Sequence, residues 1–252
     1  MTRSESYIFL AVLAGLALIA LIYLLSPSPM SLLEDITTRG AEIRTLLRQL
    51  LERYKYPGDT KNQVLAAYVD IALEHHKAIW LLSASELNGS AFALVRPMFD
   101  AYVRALWINK VATAKEIEQA SSDEWWFPKM SKMLDEIKRA YFPTPAVKDA
   151  ETTKRAELAD SFLESVGDKW GMLSSYTHPG GLQIVRRFTG DKVRPKYSEG
   201  ERAEALNAAT WVLLNLVQLF FASMSRRDEA LEIRTSFIQY SAEFEERLKK
   251  GQ

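Results

Sequence analysis

From Tyr7 to Leu25 the chain runs for nineteen residues, YIFLAVLAGLALIALIYLL, without a charged side chain. Rising about 1.5 Å per residue as a helix, that run roughly matches a ~30 Å hydrocarbon layer. Tyr7 and Tyr23 stand near its two ends, where amphipathic rings favour the membrane interface. Ser26-Pro27-Ser28-Pro29 then stops the helix. A cleaved signal peptide is the rival reading. The apolar run exceeds the usual ~7–15-residue core of such a peptide, and no small-x-small cleavage pattern follows it. The sequence therefore predicts a retained single-pass anchor in the lipid bilayer over residues 7–25. It divides the chain into an anchor and Ser-Pro linker (1–29) and a soluble domain (30–252).

Orientation follows from the basic residues. Arg3 lies upstream of the run, and Arg39, Arg44 and Arg48 lie within reach of the membrane downstream. The positive-inside rule puts the soluble domain in the cytoplasm. Composition adds little to this. Hydrophobic residues make up 48% of the 252 and charged residues 25%, as in an ordinary globular domain. Lys+Arg and Asp+Glu balance at 32 each, so net charge points to neither nucleic acid nor an acidic substrate. With no cysteine, disulfides, thiol catalysis and cysteine metal sites are excluded.

Past the anchor the periodicity predicts an all-α helical bundle. Ser31 to Glu34 reads as a capping box, followed by a stripe of Leu33, Ile36, Ile43, Leu46, Leu47, Leu50 and Leu51 reaching about Tyr54. Tyr56-Pro57-Gly58-Asp59 is a turn. Thr60 to Gln63 opens a second helix, with Val64, Ala67, Tyr68, Ile71, Ala72, Ile79 and Leu82 expected inside and Asn88-Gly89 at its end. A third helix is expected from Ser90 to about Ala114, with Pro97 kinking it or sitting near its start, and a fourth from Pro128 to Tyr141. One or two helices should cover about 150–177. Residues 183–197 break the pattern and suggest a small hairpin or an ordered loop centred on Gly190-Asp191. Ser198 to Glu201 caps a helix to about Met224, and a charged helix runs from Arg226 to Lys250. Ala205 to Met224 carries no charge, but Asn207, Asn215 and Gln218 interrupt it. Amides in lipid are costly, so this segment is expected in the core or against a partner subunit.

No P-loop, dinucleotide-binding glycine pattern or nucleophile elbow occurs, and no cofactor or metal is predicted. His75 and His76 are neighbours about 100° apart on a helix and cannot comfortably share one ion. With Asp70 and Glu74 they read as a solvated face with one half-buried histidine. Trp125-Trp126-Phe127 reads as an exposed contact or as core, core being the commoner fate.

Two stretches stand out. In Ser90 to Trp107, Arg96, Asp100 and Arg104 recur every four residues, forming a charged stripe on an otherwise apolar helix. Such groups need partners when they are covered. In Leu173-Ser174-Ser175-Tyr176-Thr177-His178-Pro179-Gly180-Gly181, a histidine that can titrate near neutral pH is set on a sharp turn beside hydroxyls.

Together, an Arg-Pro-x-x-Asp-x-x-x-Arg helix and a later Leu-Ser-x-Tyr-x-His-x-Gly turn resemble bacterial helical families of the HEPN superfamily, which includes AbiV-type abortive-infection proteins. The likeness covers roughly residues 35–225 and rests on those two motifs. It implies a helical bundle at the bacterial inner membrane, a homodimer, a role in phage defence, and metal-independent cleavage of RNA or sensing of a nucleotide. In such a site His178 is the general acid/base. Arg96, with Arg104, steadies phosphorane charge; Asp100 orients the arginine or the imidazole, and Tyr176 or Ser174 bonds the phosphate. The sequence departs from the superfamily's usual Arg-x(4–6)-His pattern, because no arginine precedes His178 at that spacing. Arg96 would have to reach it from another helix. The same residues can equally form a buried network that fixes helix register in a non-catalytic adaptor docking a partner at the membrane.

Overall fold

The computed structural model describes residues 29–53, 58–122, 127–141, 173–177, 181–189, 192–193 and 195–250. The expected anchor over 7–25, the Trp125-Trp126 pair and His178 lie outside them. The described chain is overwhelmingly helical, as its periodicity predicts.

Helix α1 (Pro29–Glu52) turns Ile36, Ile43, Leu47, Leu50 and Leu51 inwards. Helix α2 (Thr60–Ala84) starts at Asp59, whose carboxylate accepts the Asn62 backbone N–H at 2.9 Å and so satisfies an orphan donor of the first turn. Its buried face is Leu65, Ala66, Val69, Ala72, Leu73, His76, Ile79 and Ser83; of the expected residues, Ala72 and Ile79 are buried, and Val64, Tyr68 and Leu82 pack against the core. Ala67 and Ile71 are exposed instead. The helix is apolar on two sides, and the side that wins carries two polar residues an apolar stripe could not reveal.

The end of α2 also differs from expectation. Asn88-Gly89 does not close it; those residues open α3 (Asn88–Lys110). Helix α2 stops through Glu86, which takes a positive φ of 60°. The Glu86 amide bonds the Ser83 carbonyl at 3.2 Å and the Leu87 amide bonds Leu82 at 2.8 Å, which is a Schellman ending with glutamate in the left-handed position. Pro97 lies well inside α3. That helix is shorter than expected. It ends at Lys110, and a separate turn of helix, α4 (Ala114–Ala120), follows behind a Thr113–Glu116 capping box. Helix α5 (Met130–Tyr141) is pinned to α3 where the Trp107 Nε1–H donates to the Glu136 carboxylate at 2.7 Å.

After the helical segment 173–177 come a short helix α6 (Gly181–Val185) and, of the hairpin or ordered loop expected there, a hairpin, β1 (Phe188–Thr189) against β2 (Lys192–Val193). Phe188 pairs with Val193 and Thr189 with Lys192, leaving a two-residue connection. Helix α7 (Glu199–Ser223) begins with the expected Ser198–Glu201 capping box, and α8 (Arg227–Lys250) follows it.

Helix α7 is the centre of the bundle, touching α1, α2, α3 and α8. Its Trp211 packs between Phe99, at 6.3 Å, and Tyr102, edge-on at 5.6 Å. By length and composition Gly200–Ser223 is apolar enough to cross a membrane, yet 89% of its apolar window is buried within the protein. The interrupting amides Asn207, Asn215 and Gln218 are buried too, and Asn215 donates to the Trp211 carbonyl at 2.8 Å.

Candidate functional site

Proline has no amide hydrogen, so Pro97 leaves the carbonyl of Ala93, four residues earlier, without its helical donor. The Thr177 hydroxyl approaches that carbonyl at 3.5 Å while bonding the Leu173 carbonyl at 3.2 Å. One residue back, the buried Tyr176 ring stacks on Phe92 with centroids 4.8 Å apart. The Arg-Pro helix and the Leu-Ser-x-Tyr-x-His turn, some eighty residues apart in the chain, therefore meet within one helical turn of Arg96. His178 follows Thr177 directly and lies outside the described residues.

The charged stripe is not uniform. Arg96 Nε lies 3.8 Å from an Asp100 carboxylate oxygen, their side chains only 13% and 24% exposed. Arg104 lies with its guanidinium 4.6 Å from the Phe127 ring centre, a cation–π contact. It also bonds the Tyr68 hydroxyl, whose ionisation burial pushes up and Arg104 partly offsets. Phe127 itself packs against the core rather than standing free as a contact residue. Arg96 and Asp100 thus remain together at the meeting point of the two motifs, while Arg104 holds the far end of α3 to α2 and the α4–α5 connection.

The histidine pair requires a correction. His76 is not on a solvated face; it is fully buried between α1, α2 and α7. The Thr210 hydroxyl gives its only hydrogen to the Leu206 carbonyl at 2.9 Å, so it accepts from His76 Nε2–H at 2.9 Å. Arg44, which can only donate, then bonds His76 Nδ1 at 3.3 Å. The network fixes one neutral tautomer. Burial, followed by the Arg44 charge, holds the ring pKa down to about 3. This imidazole cannot serve as an acid near neutral pH. It ties three helices together.

Beside α3, the hairpin segment closes over Gly89. A Cβ there would meet the Arg187 guanidinium and the Tyr197 hydroxyl at 3.2 Å each. Tyr197 stacks on Phe92 from 5.6 Å, so Phe92 carries both Tyr176 and Tyr197. Sequence reasoning also missed an open hollow of about 590 Å³ between α1 and α2, lined by Thr37, Thr38, Ala41, Glu42, Thr45, Leu46, Gln49 and Trp80. The helical spacing of Thr38, Ala41 and Thr45 was its available signal, a stripe of small and polar residues where α1 has no apolar ones.

Residues 69–249, from α2 to α8, match the model of a family described as a family of unknown function (DUF6988). No curated protein and no solved structure matches the chain.

Proposed function

The chain belongs to that family of unknown function, and we propose that it is a membrane-tethered, HEPN-like helical protein whose working site lies where segment 173–177 meets α3, and that the site cleaves RNA. One observation carries the reading. The two motifs behind the HEPN resemblance meet, with Tyr176 stacked on Phe92 and Thr177 beside the Ala93 carbonyl, one turn from the Arg96–Asp100 pair. In this reading His178 takes the proton from a ribose 2′-hydroxyl as that oxygen attacks the adjacent phosphorus, and the 5′-oxygen leaves with a proton from solvent water. Arg96 offsets the charge that develops on the phosphorane oxygens, and Asp100 orients Arg96. Tyr176 shapes the site from its packed position, while Arg104 holds the far end of α3 and takes no part in the step. No metal is required, and the product ends are a 2′,3′-cyclic phosphate and a 5′-hydroxyl.

A second reading rests on a different observation. Arg96 and Asp100 are largely covered and Tyr176 is buried, as in a polar network that sets helix register in a non-catalytic adaptor. One experiment separates the two. The full chain, reconstituted in nanodiscs, is incubated with end-labelled single-stranded RNA in EDTA, and the product ends are identified. The ribonuclease reading expects cleavage that falls by roughly 10²-fold or more in His178→Ala. Arg96→Lys, which keeps the charge and loses the planar fork, should also cut the rate. Both variants should retain the wild-type melting temperature. An inactive but folded wild type, or variants that lose activity only by unfolding, would leave the adaptor reading standing.

A further inference from the structure

Contacts at two levels fix how the helices run. Gly40 and Arg44 of α1, His76 of α2 and Thr210 of α7 lie at one level of the bundle. Only residues 53–59 separate the end of α1 from the start of α2, so the two run antiparallel, and Ser223 near the end of α7 lies 2.6 Å from Asn62 at the start of α2, so α7 runs antiparallel to α2 as well. At about 1.5 Å per residue, the start of α1 at Pro29, the end of α2 at Ala84 and the start of α7 at Glu199 all reach the same pole, ~12–22 Å from the level of His76. The start of α3 is there too, across the short turn from α2, and Gly89 in its first turn touches Arg187, Tyr197 and Gln183. The hairpin and α6 therefore sit at the pole where α1 begins at Pro29.

That pole is apolar where a soluble surface should not be. Phe188 and Val193, cross-strand partners on one face of the hairpin, are 59% and 73% exposed. Ile184 and Val185 of α6 and Leu87 at the head of α3 are exposed as well. Around them cations outnumber acids. From residue 181 to 197 the sequence holds five cations (Arg186, Arg187, Lys192, Arg194, Lys196) and one acid, Asp191, in a chain whose 32 cations and 32 acids balance overall. Arg186 is paired with Glu201, whereas Arg187, Lys192 and Lys196 are exposed.

We infer that this pole is a second membrane contact, with the hairpin seated on an anionic lipid surface. Exposed aliphatic and aromatic tips rimmed by cations suit the boundary between headgroups and acyl chains. The same cations would attract nucleic acid, but Phe188 is the one exposed ring among these tips, and the aliphatic Leu87, Ile184, Val185 and Val193 offer bases no stacking surface. The inference rests on the anchored reading, which brings the pole to the bilayer; its electrostatic part adds specificity for anionic headgroups. The domain is then held at two points, with α1 entering the lipid surface and the hairpin fixing its rotation about that axis.

The chain has no cysteine, so Val193→Cys carries an environment-sensitive fluorophore in the full chain, and Lys115→Cys on α4 carries the control label. Both are reconstituted into phosphatidylcholine vesicles, with or without phosphatidylglycerol. The label at 193 should shift to the blue and be quenched by spin-labelled lipid when phosphatidylglycerol is present, and the label at 115 should do neither. Lys192→Glu with Lys196→Glu should abolish the response, each lost cation weakening lipid contact roughly five-fold, and Phe188→Glu should reduce it. A 193 label that stays aqueous, or responds equally without phosphatidylglycerol, overturns the inference, as does a response to added single-stranded RNA in place of lipid. Flotation with phosphatidylcholine vesicles tests the anchor separately. A chain that fails to float there while its 193 label still responds to phosphatidylglycerol vesicles refutes the anchor alone.

Discussion

The Thr177 hydroxyl lies 3.5 Å from the Ala93 carbonyl, the acceptor that Pro97 deprives of its helical donor. A proline in a helix interior normally costs about 3 kcal/mol, part of it the lost hydrogen bond. Here the orphaned carbonyl faces a hydroxyl from another segment. The hydroxyl has one hydrogen, and the Leu173 carbonyl is nearer at 3.2 Å, so the Ala93 bond is the weaker share of a forked donor.

That arrangement predicts coupling between positions 97 and 177. Thr177→Val should cost about 0.5–1 kcal/mol in chemical denaturation, because a carbonyl loses its donor. In a Pro97→Ala background the restored amide serves Ala93 from within the helix, and the same substitution should cost less, by roughly 0.5 kcal/mol. A double-mutant cycle monitored by tryptophan fluorescence measures the difference. Strict additivity would mean that the hydroxyl and the proline are unrelated.

His76 makes stability depend on acid. Its folded pKa is held to about 3, whereas an unfolded histidine titrates near ~6.5. Between those values the unfolded chain binds the extra proton, so stability is fully present above ~6.5 and declines as pH falls through that window. From about pH 7 to pH 5 the loss should approach ~2 kcal/mol. Denaturation midpoints across that range check it, and His76→Gln should flatten the slope while lowering stability at neutral pH. A wild-type profile as flat as that of the variant would refute the assignment.

Much of the fold was written in periodicity and caps. The α1 stripe, the Ser198–Glu201 capping box and the hairpin all form where local chemistry places them, because each is decided by residues within a turn or two. What stayed hidden depends on distant partners. The inward face of α2 includes His76, which is buried only because Arg44 and Thr210, 32 and 134 residues away, satisfy its two nitrogens. At the candidate site, the residue types were legible and their division was not. Arg96 and Asp100 stay paired, while Phe127 and Tyr68 hold Arg104. No spacing rule reports a ring that arrives from another loop.

The misplaced end of α2 yields a third prediction. Asn88-Gly89 resembles a helix stop, but Glu86 adopts the left-handed conformation that glycine tolerates best. An L-residue there carries a penalty of about 1 kcal/mol. Glu86→Gly keeps both Schellman hydrogen bonds and removes that penalty, offset in part by the greater freedom of the unfolded chain. A gain of roughly 0.5 kcal/mol in unfolding free energy is expected. A loss of similar size would show that the Glu86 side chain itself stabilises the turn.

Gly40 is set against the same propensity argument from the other side. It lies in the middle of α1, where alanine is normally better by about 1 kcal/mol. A Cβ at this position would sit 3.2 Å from Thr210 Oγ1 and 3.4 Å from His76 Cε1. Neither neighbour is free to move. Thr210 is bonded to Leu206, and the imidazole is held at both nitrogens. Making room displaces the ring from Thr210 or Arg44, and overpacking of this kind costs ~1–3 kcal/mol. The clash should therefore outweigh the propensity gain, and Gly40→Ala should lower stability by about 1 kcal/mol or more. Gly58→Ala, where a Cβ meets nothing within 4 Å, is the control and should be neutral or slightly stabilising. If Gly40→Ala melts above the wild type, α1 has room to shift away from His76, and the three-helix hydrogen-bond network is looser than its distances imply.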